Sequence, residues 1–257
     1  MTRTIVQGSG MKRVAALADL HCPRTGEDVL RPLFTHIAAH ADIVLLCGDL
    51  TDYGKPEEAA LLVRSLSALG GLPVLAVLGN HDYECGAVEE VTHLLSSNGV
   101  RILDGTSVEI DGVGFVGVKG FAGGFGERAL QPWGEAVLKQ FVREGVEEAL
   151  KLESGLAQLR VPTRIVLLHY SPIAATVVGE PLEIIPFLGS SRLEEPLNRY
   201  RVTAAFHGHA HHGSPEGLTG DGVPVYNVAM PLLRRRFPDR PPVRFLDVPI
   251  VHEMVTP

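Results

Sequence analysis

The chain of 257 residues carries a formal net charge of −7 at pH 7, and 45% of its residues are hydrophobic. This length and composition allow a substantial buried core, and they fit one large domain better than two. The acidic balance argues against a broad electrostatic surface for nucleic acid or for an anionic membrane. No apolar run approaches the roughly 20 residues of a membrane span, and the polar start lacks the apolar core of a signal peptide. We therefore expect a cytoplasmic protein.

The chain contains three cysteines, Cys22, Cys47 and Cys85, and no two of them have the Cys-x-x-Cys spacing. An odd number at these separations predicts neither a disulfide framework nor a thiolate zinc site. Cys22 and Cys85 stand near motif residues described below, where oxidation could disturb a site. We interpret both as small, partly buried residues in the reduced state.

Residues 1–10 are polar and contain glycine, whereas Met11 leads into the apolar run that follows. We therefore predict a loose extension over residues 1–10 and a single folded domain over residues 11–257. The sequence contains no internal repeat, no low-complexity tract and no linker long enough to divide it. The two halves of the chain should share one core.

Five short apolar runs lack polar alternation, which is typical of strands that are covered on both faces. Each run ends at a polar residue, and in chain order these residues are Asp19, Asp49, Asn80, His169 and His209. After each of the first three runs, apolar residues at three-and-four spacing predict helices, over residues 27–40, 56–69 and 87–98. Gly70 and Gly99 suit helix C-terminal caps. The first half of the chain is thus predicted to alternate strands and helices.

From about Ser107 the pattern changes, because Asp111-Gly112 separates two runs that are rich in β-forming residues. This pair predicts a hairpin and therefore a second, partly antiparallel sheet. A long helix is expected over residues 132–159, and a loop-rich section follows over residues 171–190. The remaining predicted elements are a helix at residues 192–200 and strands at residues 223–229 and 243–249.

The polar residues at the ends of the apolar runs are the main functional signal. In parallel α/β sheets, ligands bind just beyond the carboxyl ends of the strands, where side chains point into a common crevice. A single Asp or His after a strand is usually a loop or capping residue. The inference of a functional site therefore depends on all five strand ends together. The pattern comprises Asp19-Leu20-His21, Gly48-Asp49-Leu50-Thr51-Asp52, Gly79-Asn80-His81-Asp82, His169 and Gly208-His209-Ala210-His211.

This order and spacing of motifs resembles the calcineurin-like metallophosphoesterase superfamily over most of the chain. The resemblance implies an α/β fold, a four-layer α-β-β-α sandwich in which two mixed β-sheets pack together (the metallo-dependent phosphatase fold). It also implies two metal ions that share the ligand Asp49. One ion would be held by Asp19, His21, Asp49 and His211, and the other by Asp49, Asn80, His169 and His209.

Imidazole and oxygen ligands without sulfur suit divalent or mixed-valence transition-metal ions such as Mn, Fe or Zn better than Mg. Two ions that share a bridging water can lower its pKa, and the resulting hydroxide would attack a phosphoester. By the same resemblance, His81 faces the substrate as general acid. The carboxylate of Asp52 would orient His81 through a hydrogen bond. The implied substrate is a small-molecule phosphoester.

In the protein-phosphatase branch of the superfamily an arginine follows the residue equivalent to Asp52, whereas Tyr53 and Gly54 follow it here. The GNHD and GHAH motifs in a compact chain look closer to the bacterial cyclic-nucleotide phosphodiesterase-like branch, so we favour a phosphodiesterase. The alternatives are a phosphomonoesterase, a nuclease of the same superfamily and a non-catalytic metal-binding scaffold. A nuclease would degrade DNA with strongly salt-dependent affinity, and a scaffold would bind partners without turnover.

Several other residues invite a functional assignment but have simpler interpretations. His207 and His212 flank the GHAH motif, and we interpret both as residues that do not bind metal. The glycine-rich segment at residues 121–128 matches neither the phosphate-loop nor the dinucleotide pattern, and it predicts a rim loop. Three consecutive arginines at residues 234–236 form the main basic cluster, for which surface ion pairing is the simplest role. Contact with a remote phosphate of the substrate is the alternative.

Overall fold

The computed structural model describes residues 4–254, within which the chain forms two β-sheets and six α-helices. The strands are β1 (Thr4–Leu17), β2 (Ile43–Cys47), β3 (Val74–Val77), β4 (Val100–Ile102), β5 (Ser107–Ile110), β6 (Val113–Gly117), β7 (Thr163–Leu167), β8 (Ala204–His207), β9 (Glu216–Leu218), β10 (Pro224–Asn227) and β11 (Arg244–Met254). The helices are α1 (Glu27–Ala38), α2 (Pro56–Leu66), α3 (Val88–Ser97), α4 (Ala136–Gln158), α5 (Glu194–Arg199) and α6 (Met230–Arg236). None of these helices is long and apolar enough to cross a membrane.

Both sheets are mixed. The first has the order β11-β1-β2-β3-β4, in which β1 to β4 are parallel and β11 runs antiparallel to β1. The second has the order β5-β6-β7-β8-β10-β9, in which only the edge strands β5 and β9 are antiparallel to their neighbours. Each sheet therefore brings the carboxyl ends of several parallel strands together at one edge.

Alternate residues of the central strands face different layers, which explains why the apolar runs lack polar alternation. In β1, Ala15 and Leu17 belong to the same buried cluster as Phe34 of α1. Val14 and Ala16 lie in a second cluster, between the two sheets. Because both faces of the strand are covered, both sets of alternate positions must be apolar.

The second sheet is covered in the same way. Phe115, Ile165 and Phe206 are fully buried in the cluster between the sheets. Leu152 and Leu156 of α4 pack on its other face. Helices α1 to α3, the two sheets, and helices α4 and α5 thus form the four layers of an α-β-β-α sandwich, and the predicted fold class is confirmed.

The hairpin predicted from Asp111 and Gly112 is present. Both residues have positive φ, at 49° and 81°, and they join β5 to the antiparallel β6. A two-residue turn with positive φ at both positions matches the right-handed twist of the strands that it connects. The Asp-Gly pair therefore correctly predicted the hairpin with which the second sheet begins.

The loose extension over residues 1–10 stays a prediction, and the structure describes residues 4–10 as the beginning of β1. These residues belong to β1, which pairs with β11 from Thr4 opposite Met254 onward, with a register shift between Gln7 and Met11. A polar, glycine-containing segment gives no period-two signal, and its partner strand lies at the far end of the sequence. Residues 1–3 lie outside the described part of the chain, and the assignment of residues 11–257 to a single domain stays a prediction.

Candidate metal centre

The residues that end the five apolar runs meet at one edge of the sandwich. Asp19 and Asp49 follow β1 and β2, and backbone hydrogen bonds tie the two loops together, from Asp19 N to Gly48 O and from His21 N to Asp49 O, both 3.0 Å. From the second sheet, His209 N donates to Asp19 Oδ2 at 3.0 Å. The two sheets therefore contribute side chains to the same crevice.

One half of the crevice contains Asp19, His21 and His211, whose potential ligand atoms all lie within 4.8 Å of one another. His211 Nε2 is 3.1 Å from Asp19 Oδ1. His21 is buried, and neither of its ring nitrogens has a hydrogen-bond partner among the described residues. A buried polar atom without a partner is costly. Nδ1 lies 3.3 Å from the Asp52 carboxylate without hydrogen-bond geometry, so Nε2, which faces Asp49, is the nitrogen that fits a bound cation.

The other half contains Asp49, His169 and His209, which form a second group of the same kind. His169 Nδ1 lies 3.1 Å from Cys47 O, a carbonyl that can only accept, so Nε2 of the neutral ring carries the lone pair. That lone pair faces Asn80 Oδ1 at 2.9 Å and Asp49 Oδ1 at 3.3 Å. Electron pairs that converge without a hydrogen between them fit a cation.

His209 uses one ring nitrogen outside this group. Its Nε2 lies 3.3 Å from the carbonyl oxygen of Phe187, which leaves Nδ1 as the free nitrogen. Asp49 connects the two halves, because its Oδ1 faces His169 and its Oδ2 lies 3.8 Å from His21 Nε2. A carboxylate in this position can bridge two cations.

Burial determines the protonation of the histidines. Desolvation lowers the pKa of His21 and of His209 to about 4, and it lowers the pKa of His169 well below the usual value. At neutral pH these rings are uncharged and can offer lone pairs. These three residues therefore present neutral imidazoles, as metal binding requires. The pKa of His211 is raised, because its hydrogen bond to Asp19 and the charge of Asp19 outweigh the effect of burial.

The two aspartates differ from each other. Burial acts to raise the pKa of Asp19, but the hydrogen bond from His211 and the nearby imidazoles outweigh it, so the pKa is lowered. Burial, together with the charges of Asp19 and Asp82, raises the pKa of Asp49 well above its usual value. Two buried carboxylates that repel each other are stabilised in their charged forms by cations between them.

His81 stands beside the crevice, where its ring lies edge-on to that of His21 at 4.6 Å between centroids. Its backbone N donates to Asp49 Oδ1 at 2.9 Å. The expected contact with the Asp52 carboxylate is absent, because His81 Nδ1 lies 2.7 Å from the backbone carbonyl oxygen of Asp52 instead. The carboxylate faces His21 Nδ1 at 3.3 Å and the guanidinium of Arg24 at 2.8 Å. The Asp52 carboxylate is thus paired with Arg24, and it stays within 4.8 Å of a ring nitrogen of His81 without a hydrogen bond to it.

Asp82, which the sequence analysis left without a role, holds two motif loops together. Its carboxylate accepts hydrogen bonds from Gly79 N (2.8 Å), Thr51 N (2.8 Å), Thr51 Oγ1 (2.6 Å) and Leu50 N (3.2 Å). The residue is fully buried, and burial raises its pKa. Its place inside the GNHD motif was the only signal in the sequence.

His207 and the glycine-rich segment at residues 121–128 form hydrogen bonds with protein groups outside the candidate metal centre. His207 is fully buried, with Nε2 2.8 Å from Thr176 Oγ1 and Nδ1 2.8 Å from Gly208 O, so both ring nitrogens have partners. In the glycine-rich segment, the amides of Gly123 and Gly124 donate to backbone carbonyls, each at 2.9 Å. These amides are therefore not free to bind a phosphate.

The arginine cluster lies on α6, a helix that the sequence analysis did not predict. Arg235 donates to the backbone carbonyl of His211 at 2.8 Å, and its other terminal nitrogen lies 3.1 Å from His212 Nδ1. The side chains at residues 234–236 are exposed. One arginine of the cluster thus supports the GHAH loop from outside, a contact that differs from the ion pairing expected.

The cysteines are free thiols. Cys22 and Cys47 are buried, and burial raises the pKa of Cys22 to about 11. Cys85 is exposed, and its thiol donates to the carbonyl of Gly54 at 2.9 Å. A thiol with a raised pKa stays protonated at neutral pH, so Cys22 is a poor metal ligand in spite of its place next to His21.

Comparison with solved structures finds the same fold in several proteins. Phosphopantetheinyl hydrolase (PptH) from Mycobacterium tuberculosis is 16% identical, with a TM-score of 0.64 over 91% of this chain and 95% of that chain. The protein TT1561 of Thermus thermophilus is 17% identical, with a TM-score of 0.58 over 94% and 100%. Purple acid phosphatase PPD1 from yellow lupin (Lupinus luteus) is 14% identical, with a TM-score of 0.58 over 88% and 44%. At these identities the likeness establishes the fold alone.

No curated protein matches the sequence. The sequence model of the calcineurin-like phosphoesterases, in contrast, matches residues 12–213. This range contains every motif from Asp19 to His211. The side chains of those motifs form the two potential metal-binding groups described above and a third, of His21, Asp52 and His81. The chain therefore belongs to the calcineurin-like phosphoesterase family and is a metal-dependent phosphoesterase.

Proposed function

We propose that the protein hydrolyses phosphodiesters at a binuclear transition-metal centre. The observation that carries the proposal is the position of Asp49, whose carboxylate oxygens face His169 on one side and His21 on the other. Imidazole and oxygen donors without sulfur favour Mn, Fe or Zn. The proposed ligands are Asp19, His21, Asp49 and His211 for one ion, and Asp49, Asn80, His169 and His209 for the other.

The two ions, when bound, would supply Lewis acidity toward phosphoryl oxygens and a water of lowered pKa. The protein itself fixes the donors, because backbone hydrogen bonds hold the loops of Asp19 and Asp49 together and the Asp82 carboxylate ties the Asn80 loop to the Asp49 loop. Donors that are already in place lose little conformational entropy when the substrate binds.

His81 is proposed as the general acid. In its imidazolium form, Nδ1 donates to the carbonyl of Asp52, and Nε2 carries the proton that the departing alkoxide needs. The side chain is 29% exposed, so it can reach a substrate while its backbone stays anchored to Asp49. Asp52 has a positioning role, through its carbonyl for His81 and through its carboxylate for His21.

A diester is favoured over a monoester because of charge. A monoester carries up to two negative charges, and an arginine that was free to bind the second would favour it. Here Tyr53 and Gly54 follow Asp52, and the nearby Arg24 is paired with the Asp52 carboxylate at 2.8 Å. The GNHD and GHAH motifs in a compact chain motivate the proposed likeness to the cyclic-nucleotide phosphodiesterase-like branch.

The test is hydrolysis of bis(p-nitrophenyl) phosphate and of p-nitrophenyl phosphate by Mn-loaded protein, beside the Asp49→Asn and His81→Ala variants. His40→Ala is the matched control, because His40 is exposed in the turn that precedes the amino end of β2, whereas the motifs follow the carboxyl ends of the strands. We expect the wild type to turn over the diester faster than the monoester. Both site variants should lose activity, and the control should keep the wild-type rates.

Faster monoester turnover would support a phosphomonoesterase. Metal binding without turnover of either ester would support the scaffold, and salt-dependent DNA degradation would support the nuclease.

A further inference from the structure

Glu58 is a buried carboxylate in the first turn of α2, and the function proposed above does not use it. Its Oε2 atom accepts hydrogen bonds from three backbone amides, Tyr53 N at 2.8 Å, Asp52 N at 3.1 Å and Lys55 N at 3.4 Å. Hydrogen bonds from amides to a carboxylate are among the stronger ones in proteins. Glu58 therefore fixes the backbone just after the Asp49 motif.

Helix α2 is itself held in the core. Ala59, Leu62 and Leu66 are buried in the cluster that α1 and the first sheet share. The Glu58 carboxylate lies at the amino end of the helix, where the helix dipole stabilises a negative charge. The position of Glu58 is therefore set by the fold, and the amides that it binds are held in place relative to the first sheet.

The peptide group between Asp52 and Tyr53 links Glu58 to His81. Its N–H belongs to Tyr53 and donates to Glu58 at 2.8 Å, while its carbonyl belongs to Asp52 and accepts from His81 Nδ1 at 2.7 Å. A trans peptide group is planar, and its N–H and C=O point in opposite directions. The two hydrogen bonds therefore fix one plane from its two sides. A rotation of that plane would displace the partner of His81.

The hydrogen bond to Glu58 also strengthens the acceptor at the other end of the peptide group, because both bonds polarise the group in the same direction. Two other carboxylates lie near His81. That of Glu84 is 3.5 Å from Nδ1 on a side chain that is 53% exposed, and that of Asp52 is paired with Arg24. The carbonyl of Asp52 makes the shortest of these contacts, so it sets the orientation of the ring.

Resting on the function proposed above, we propose that Glu58 is a positioning residue for the general acid. Through the peptide group between Asp52 and Tyr53 it holds Nδ1 of His81, and it thereby directs Nε2 toward the departing ester oxygen. Asp52 N has a second acceptor, the carbonyl of Cys22 at 3.0 Å. Loss of Glu58 should therefore free the Tyr53 amide and leave Asp52 anchored. The alternative is that Glu58 only caps α2.

The test compares Glu58→Ala with Glu58→Gln, in which the amide oxygen can still accept from Tyr53 N. The substrates are two diesters of similar shape, bis(p-nitrophenyl) phosphate and diphenyl phosphate, hydrolysed by Mn-loaded protein. Phenolate is the poorer leaving group, so its departure depends more on a proton from His81. Glu57→Ala in the same helical turn controls for charge, and Arg64→Gly controls for a weakened α2, because both side chains are exposed.

We expect Glu58→Ala to slow hydrolysis of diphenyl phosphate about tenfold and that of bis(p-nitrophenyl) phosphate less than about twofold. Glu58→Gln should recover most of the rate, and both controls should keep the wild-type ratio of the two rates. In a His81→Ala background, Glu58→Ala should have no further effect, because both changes act on the same proton transfer. Equal losses for the two diesters, or a further loss in the His81→Ala background, would overturn the proposal.

A measurement that does not depend on turnover separates this proposal from the proposed function. In Zn-loaded protein with isotopically labelled histidine, the nitrogen NMR signal of His81 Nδ1 reports its hydrogen bond to the carbonyl of Asp52. Glu58→Ala should shift this signal, Glu58→Gln should shift it less, and Glu57→Ala should leave it unchanged. An unchanged signal in Glu58→Ala would overturn the proposal. A shifted signal in a protein without turnover would contradict the proposed hydrolysis alone.

Discussion

The carboxylate of Asp52 lies 3.3 Å from Nδ1 of His21, while the backbone carbonyl of the same residue lies 2.7 Å from Nδ1 of His81. One residue therefore supports a candidate metal ligand with its side chain and the proposed general acid with its main chain. A substitution that alters only the side chain separates the two roles.

Asp52→Asn should lower the affinity for Mn²⁺ by about 10- to 100-fold, as is usual when the partner of a ligating histidine is lost. The main-chain contact to His81 is retained, so turnover at saturating Mn²⁺ should fall much less. Titration calorimetry measures the affinity. Asp247→Asn, which removes an exposed ion pair with Arg13, is the control. Unchanged Mn²⁺ affinity together with a large loss of turnover would mean that the side chain acts on His81 after all.

His207→Gln should reduce the acid sensitivity of the metal-free protein. Burial lowers the pKa of His207 from 6.5 to about 4, so the unfolded chain binds the proton more readily than the folded chain does. The resulting stability is present above about pH 6.5 and is lost as the pH falls toward 4, by about 3 kcal/mol in total.

The measurement is the free energy of unfolding by urea, in the presence of EDTA, at several pH values between 7 and 4. The variant should lose less stability over this range than the wild type, although His21 and His209 continue to contribute. The exposed His40→Gln serves as control. Parallel pH profiles for His207→Gln and the wild type would contradict the prediction.

Gly208→Ala should displace a candidate ligand. A Cβ atom at this position would lie 2.5 Å from Asp19 Oδ2 and 2.6 Å from the Cβ of Ala18, closer than such atoms approach. We expect the variant to fold and to lose measurable binding of one Mn²⁺ equivalent, detected by metal analysis after gel filtration. At Gly220, an added Cβ has only an ordinary contact at 3.7 Å, so Gly220→Ala should bind metal like the wild type.

Arg235→Ala should loosen the GHAH loop, because it removes the hydrogen bond to the carbonyl of His211 and the contact with His212. Hydrogen exchange in this loop should increase, and Mn²⁺ affinity should fall by about tenfold, in line with the loss of other supporting contacts. Arg234→Ala and Arg236→Ala provide matched controls on the same helix. Equal effects of all three substitutions would point to the charge of the cluster and away from this one contact.

The sequence was sufficient to predict those elements whose structure is determined by the pattern of neighbouring residues. Buried strands gave apolar runs, and the parallel arrangement placed Asp19, Asp49 and His169 at one edge before any contact was known. The hairpin at Asp111 followed from a backbone preference of two residues. In each case the physical cause lies within a few residues of the signal.

Contacts that depend on distant partners could not be predicted. Residues 4–10 form a strand because β11 pairs with them, and their own sequence contains no pattern that predicts a strand. Strands β4 and β9 span three residues each, too few to produce a periodicity. The Asp52 side chain is paired with Arg24, which lies in another loop. The support that Arg235 gives to His211 likewise requires the fold.

Asp19, His21, Asp49 and His209 have positive φ, between 44° and 67°, a region that few residues other than glycine occupy. Asparagine and aspartate tolerate this region better than most, so Asp→Asn exchanges at positions 19 and 49 change charge and leave the backbone preference nearly constant. Alanine at the same positions would add a conformational cost to the loss of a ligand. At positions 19 and 49 the reference variant should therefore be asparagine. An alanine variant would combine the loss of a ligand with the backbone cost of positive φ, and the two effects could not be separated.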